Sequence, residues 1–373
     1  TGWRQWFEQT IDAYSDYSYT TIQGREVGDD DTVGARLVAQ LALGSATVRM
    51  VTTADESTHR QRDSSLSGNP GDALVSGPLL RYRQRLSTVG LEADFRLGEQ
   101  LTATLGIARD RAQTPLTGDK PAQPDLSATG WSAGLRWRSD NRFALVATIG
   151  ERTRFPTPRE LYGQALGKFL LNPDLRPERS LLADVSVLFD PGEKMAINAA
   201  AWINDSDDTL SQRSVIVADG SSRRQRFNTN GTFTYGLELA TTLFHTDSLR
   251  TEYSLAWQDG QVEPDAGGNR PALLQRPEVQ LRAAIDWQAN ERIDLRAEAL
   301  YTGSAFDLAD DGSVATLPGS TAVNLRGFLQ IGAWRGRDVQ LTASVDNLTD
   351  ELVLPQIGLP APGRSYRVGL QLN

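Results

Sequence analysis

The side chains best placed to do chemistry in this 373-residue chain are arginines. Arg60, Arg62, Arg81, Arg83, Arg85, Arg154, Arg159, Arg223, Arg224 and Arg226, with Tyr162 among them, fall in or beside stretches rich in Gly, Pro, Asp and Asn. A guanidinium offers a planar fork of donors that matches carboxylate and phosphate groups. Arg81, Arg83, Arg154, Arg159, Tyr162 and Arg224 are therefore the candidate ligand-binding residues, and the ligand they suit is an anion. Plain solubility accounts for the same residues equally well. Catalysis is not expected. His59 and His245 are the two histidines and there is no cysteine, so no triad, thiol nucleophile or two-histidine metal site can be built. The carboxylate runs Asp29–Asp31, Asp207–Asp208 and Asp310–Asp311 offer hard oxygens of the kind that bind Ca²⁺, but such runs are more often solvated loop tips. No Gly-rich turn joins a strand to a helix, so no nucleotide site is read. We expect no enzyme activity, no cofactor and no bound metal. The net charge of −9 argues against a nucleic-acid partner.

These residues must be positioned by strands. In LRTEYSLAW, Leu249, Thr251, Tyr253, Leu255 and Trp257 share one face and Arg250, Glu252 and Ser254 the other. VQLRAAIDW, YGLELATTL, VQLTASV, LRAEALY and LTATLGI alternate in the same way, as half-buried antiparallel strands do. Connections alternate as well. The stretches 44–45, 97–100, 138–141, 190–193, 245–248, 288–291 and 334–337 are short and polar. Between them come long ones at 23–31, 59–79, 113–126, 155–178, 206–226, 259–275, 304–318 and 351–363. Short and long connections in turn describe an all-β, antiparallel up-and-down barrel with turns at one rim and loops at the other, of roughly 16 strands. No apolar run is long enough for a membrane helix, which leaves open a membrane barrel whose strands alternate. The polar face carries Arg36, Glu92, Asp94, Arg136, Asp184, Glu238, Glu252, Arg282, Asp286, Arg296, Glu298 and Arg326. A soluble sandwich would also turn charges outward. Strand length, the loop pattern and aromatics near strand ends (Trp137, Trp257, Trp287, Tyr301, Trp334) favour the membrane, where such rings form girdles.

One segment breaks the alternation. GERTRFPTPRELYG is followed by NPDLRPERS, giving Arg154, Phe155, Pro156, Glu160 and Leu161, then Asn172, Pro173, Leu175, Pro177, Glu178 and Ser180. Downstream come Gly236 and Glu238, the pair Arg276–Pro277, then Asn347, Leu348 and Asp350, and a last strand opening Gly363, Arg364, Ser365, Tyr366. In this order the motifs resemble those of TonB-dependent outer-membrane receptors, over about 140–373. The resemblance implies a barrel of about 22 strands plugged by an N-terminal domain. Residues 1–373 would then be its C-terminal β-barrel part, about six strands short, without the plug and first strands. The ending Arg367, Gly369, Leu372 fits an outer-membrane assembly signal up to its final aromatic. The implied location is the bacterial outer membrane. The implied function is active uptake of a scarce nutrient, a metal chelate such as a ferric siderophore. The implied partners are outer-membrane lipid and lipopolysaccharide, the ligand, and the TonB–ExbB–ExbD energy-coupling complex acting through the plug. A passive porin-type channel is the alternative. For 155–178 two readings stand: the segment shapes the mouth over a ligand, or it only orders the strand crossing.

Overall fold

A computed structural model describes all residues except 17, 69–71, 140, 141, 173, 193, 219, 265–267, 269, 271, 310 and 373. Pro173 of the proline-fixed segment and Asp310 of the last carboxylate run therefore lie outside the described residues. The chain opens with β1 (Gly2–Tyr14), β2 (Ile22–Leu43), β3 (Ala46–Leu66), β4 (Leu74–Ser76), β5 (Leu80–Arg96), β6 (Leu101–Thr117), β7 (Leu126–Arg138) and β8 (Phe143–Arg154). The one-turn helix α1 (Pro158–Tyr162) and β9 (Phe169–Leu170) follow. Next come β10 (Glu178–Gly192), β11 (Met195–Asp207), β12 (Leu210–Ile216), β13 (Ser222–Asn228), β14 (Gly231–Thr246) and β15 (Leu249–Val262). The chain ends with β16 (Val279–Asn290), β17 (Ile293–Thr302), β18 (Ala305–Leu308), β19 (Val314–Leu317), β20 (Ser320–Trp334), β21 (Arg337–Asp346) and β22 (Ser365–Leu372).

The main sheet has seventeen strands, and setting aside the three-residue β4 leaves the sixteen expected. Each pairs antiparallel with the next, from β1 on β2 through β8 on β10, β11 on β14 and β17 on β20 to β21 on β22. Among the described residues no pairing joins β1 to β22, so the wall is an open meander. One rim carries tight turns. Arg335 and Gly336 both take positive φ (52° and 79°) between the paired Trp334 and Arg337, the two-residue geometry whose twist matches a hairpin.

The wall is inside-out relative to a soluble fold. Leu37 is 71% exposed, Ile107 56% and Val368 77%, and the residues flanking Ile107 on adjacent strands, Leu91 and Trp131, are exposed too. The charged face is turned into the lumen, where part of it pairs across strands. Arg296 meets Glu252 at 2.9 Å and Asp286 at 2.5 Å, Arg282 meets Glu298 at 2.6 Å, and Arg49 bridges Glu92 and Asp94 at 2.6 Å each. A water-soluble sandwich would bury the apolar face at a gain of about 25 cal/mol per Å². Here that face is left for lipid, so the soluble alternative falls. Trp137, Trp287, Tyr301 and Trp334 are exposed near strand ends, and Trp257 lies edge-on to Tyr235 with ring centroids 5.7 Å apart, as in an interfacial girdle.

The long-loop rim departs from expectation. Residues 23–31, expected as a loop, belong to β2 and pair with both β1 and β3; the connection is 15–21. Arg60, Arg62 and His59 sit on β3 and Arg81, Arg83 and Arg85 on β5, not on a loop over 59–79. The strands continue past the membrane because cross-strand ion pairs replace apolar burial there. Asp31 binds Arg4 at 2.8 Å, Asp30 binds His59 at 2.8 Å and Asp29 binds Arg60 at 2.5 Å. The carboxylate run 29–31 is thus a neutralised strand rather than a solvated tip. The loops over 206–226 and 304–318 contain hairpins of their own, β12–β13 and β18–β19.

Candidate functional site

The buried apolar cluster of this protein lies at the loop rim, where Tyr82, Leu161, Tyr162 and Leu175 pack together with Leu80 and Leu210 against them. The segment after β8 builds it. Thr157 caps α1 and Glu160 returns the bond to the Thr157 amide at 2.8 Å, a capping box with Pro158 at the first helical position. Tyr162 stacks on Tyr82 at 5.0 Å, and Tyr82 on His59 at 6.0 Å. The Gln84 side chain donates to the Pro156 carbonyl at 2.8 Å. Arg159 donates to Gln9 on β1 at 2.9 Å. The segment therefore folds back over the rim and fastens to β5 and β1.

The family-like motif residues of this segment serve that fastening. Arg154 Nη1 donates to Glu160 at 2.9 Å, and Arg154 Nε pairs with Glu178. Glu178 also accepts the Leu210 amide at 2.5 Å. Burial alone would push the Glu160 carboxyl up, but the hydrogen bonds from Arg154 and Thr157 outweigh it and hold the group below its ordinary value. Burial pushes the Tyr162 hydroxyl up. At the other end of the chain Asn347 and Asp350 take positive φ (51° and 57°), which Asn and Asp tolerate. The Asn347 side chain bonds both the amide and the carbonyl of Glu351, the Leu348 amide bonds the Val323 carbonyl at 2.7 Å, and Asp350 accepts the Arg364 amide at 2.8 Å. A Cβ on Gly363 would lie 2.8 Å from that Asp350 oxygen, so glycine belongs there.

Between the loops is a cavity of ≈ 400 Å³, lined among others by Gln212, Arg224, Arg226, Arg276, Glu160 and Asp307. Its two carboxylates are spoken for. Glu160 is engaged by Arg154, while Asp307, 2% exposed, accepts from Gln275 at 3.1 Å and from the amides of Leu308 and Ile357 at 2.9 Å each. The guanidinium groups are not. Among the described residues Arg224, Arg226 and Arg276 form no ion pair. Arg226 meets only the carbonyl of Gly163 (3.1 Å), that of Glu160 (3.5 Å) and the ring of Phe169 (4.3 Å from its centroid), and burial draws its pKa down. The arrangement can hold an anion by charge-assisted hydrogen bonds.

The predicted ligand residues thus separate. Arg224 lines the cavity and carries no carboxylate. Arg154 and Arg159 are committed to the fastening, and Tyr162 is packed in the apolar cluster. Arg83 lies 3.2 Å from Glu56 on the wall, and Arg81 is exposed on β5. Asp307, Gln275 and Asn228 were not foreseen. Nothing in their local sequence marks them, since their partners are distant in the chain.

The family model "TonB dependent receptor-like, beta-barrel" matches residues 2–348. The iron-regulated outer membrane virulence protein of Vibrio cholerae serotype O1 is 25% identical over 97% of this chain and 54% of its own length. The vitamin B12 transporter BtuB of Vibrio vulnificus is 27% identical over 80% of this chain and 44% of its own length. This chain spans about half the length of the curated relatives it matches. Among solved structures, the copper transporter OprC superposes with TM-score 0.80 at 18% identity, over 99% of this chain and 61% of that one. BauA, the ferric preacinetobactin receptor from Acinetobacter baumannii, gives TM-score 0.73 at 15% identity, over 99% and 59%.

Proposed function

Because the chain belongs to the TonB-dependent receptor family of the bacterial outer membrane, through its β-barrel, we propose that its mouth cavity captures an anionic metal chelate, such as a ferric siderophore, for TonB-dependent uptake. The observation that carries this reading is the set of guanidinium groups, Arg224, Arg226 and Arg276, that face one cavity without an ion-pair partner. Guanidinium groups without a carboxylate partner can turn their donors to an anion that enters the cavity. Release into the periplasm would follow when the TonB–ExbB–ExbD complex pulls on a plug domain inside the barrel. The lipid-facing wall and outward polar rim would contact outer-membrane lipid and lipopolysaccharide. A passive channel fits less well, since the family model matched over residues 2–348 is that of receptors.

The test uses the complete receptor in outer-membrane vesicles. The probes are ferric tricatecholate, ferric citrate and, as a control without net negative charge, vitamin B12. A charge-assisted hydrogen bond contributes about 1.5–3 kcal/mol. Arg224→Ala and Arg276→Ala should each weaken binding of the preferred ferric chelate by about tenfold to a hundredfold. Equal affinity of wild type and both variants, or a preference for the neutral probe, would overturn the reading.

A further inference from the structure

We infer that segment 155–178 is a bracket that positions the β12–β13 hairpin, and that ligand choice resides in the hairpin side chains it presents, Gln212 and Arg224. This deepens the reading of the cavity as the ligand site. The segment grips the hairpin along its length. Phe169 and Leu170 pair in parallel with Arg224 and Gln225, and the Arg224 amide donates to the Lys168 carbonyl at 2.9 Å. Asn172 donates to the Arg226 carbonyl at 3.0 Å. At the base, Asn228 accepts from the Arg176 amide and donates to the Arg176 carbonyl, both at 2.9 Å, and donates to the Asp208 carbonyl at 2.6 Å. Glu178 accepts the Leu210 amide. The opposite side of the segment is fixed to the wall through Tyr82, Gln84 and Gln9.

The chemistry of the grip matters more than its extent. Asn172, Lys168 and Glu178 take hold of hairpin backbone atoms, at Arg226, Arg224 and Leu210. Backbone groups are the same whatever side chain stands there. The side chains of Gln212 and Arg224 are therefore left to face the cavity, and exchanging them does not undo those bonds. One bracket can serve hairpins of different specificity. The exceptions are side chains that themselves bond the bracket: Asn228 at the base, Gln225 to the Leu171 carbonyl, and Arg226 to the Gly163 carbonyl and over the Phe169 ring; these are positioning residues.

Trypsin reads this without any ligand, because Arg213, Arg223, Arg224 and Arg226 are cleavage sites on the hairpin. In the intact receptor the hairpin should resist cleavage. Asn228→Ala and Glu178→Ala should each raise the rate of cutting within 210–228 on the order of tenfold, since cleavage follows the population of the opened form. Heat-modifiable migration of the barrel should be unchanged. Asn172→Ala is the milder variant if either fails to insert. Arg224→Ala and Gln212→Ala should keep wild-type resistance at the remaining sites while altering ferric-chelate affinity. Wild-type resistance in every bracket variant would overturn the inference, as would hairpin opening in Gln212→Ala. Failure of chelate binding with protease results as expected would count against the ligand reading alone.

Discussion

The inside-out wall makes its sharpest prediction at two adjacent residues. Leu239 and Ala240 stand mid-way along β14, with Leu239 eight residues from Gly231 and seven from Thr246. At about 3.3 Å per residue and a tilt near 40°, each end lies roughly 18–20 Å of depth away, which puts both residues close to the bilayer midplane. Leu239 points outward, 41% exposed, opposite Ala199 and Leu255. Ala240 points into the lumen, opposite Asn198 and Ser254. Arginine at a lipid-facing midplane site costs about 2–4 kcal/mol, whereas lumen positions tolerate charge. Leu239→Arg should therefore lower the unfolding free energy in lipid vesicles by about 2–4 kcal/mol, more than tenfold in the folding equilibrium. Ala240→Arg should stay within about 0.5 kcal/mol. Denaturant titration of the vesicle-inserted receptor, followed by heat-modifiable migration, measures both. Equal losses, or a larger loss at Ala240, would refute the assignment of faces.

Other expectations follow from the rim. Arg154→Ala leaves Glu178 and Glu160 without their cation and should cost about 2 kcal/mol, read as faster cleavage of the hairpin; Arg154→Lys keeps the charge but loses the fork, and should recover only part of it. Glu160 has a folded pKa below its ordinary value, so its contribution is complete above the ordinary carboxylate range and is lost as pH falls through the folded value. Thermal midpoints measured from pH 6 to pH 3 should fall less steeply in Glu160→Gln than in wild type. Asp307→Ala strands the amides of Leu308 and Ile357 and the Gln275 side chain, at about 1–3 kcal/mol for each group left unpaired. Hydrogen exchange at those two amides should accelerate, with the β16–β17 amides unchanged.

What the sequence disclosed depended on which solvent each face meets. From β14 to β17 one face sees lipid and the other sees lumen, so apolar and polar residues alternate and the strands, turns and order can be read directly. In the stretch IQGREVGDDD at 22–31 the buried face carries Gly24, Glu26 and Gly28 in place of large apolar residues, so no hydrophobic alternation shows, and a paired strand reads as a loop. Around Arg81 and Arg83 the buried face carries Tyr82 and Gln84 between the arginines, a stripe too short and too polar to announce a strand. The proline-fixed segment was legible as irregular. Its grip on Asn228 and Leu210 was not, because hydrogen bonds to a distant backbone leave no mark in local composition. Of the candidate ligand residues, Arg224 came from its type and loop position, while Arg154 and Arg159 have the same type and a different task.

The strands are also of unequal height. β2 has 22 residues and β3 has 21, whereas β17 and β21 have 10 each. About 9–11 residues suffice to cross the bilayer, so the β2–β3 sector stands on the order of 35 Å of strand above it while the β17 and β21 sector ends near the interface. The rim of the wall is consequently uneven: at β2–β3 the height is made by the wall strands themselves, whereas after β17 it is made by a separate hairpin, β18–β19, that can be exchanged without touching the wall.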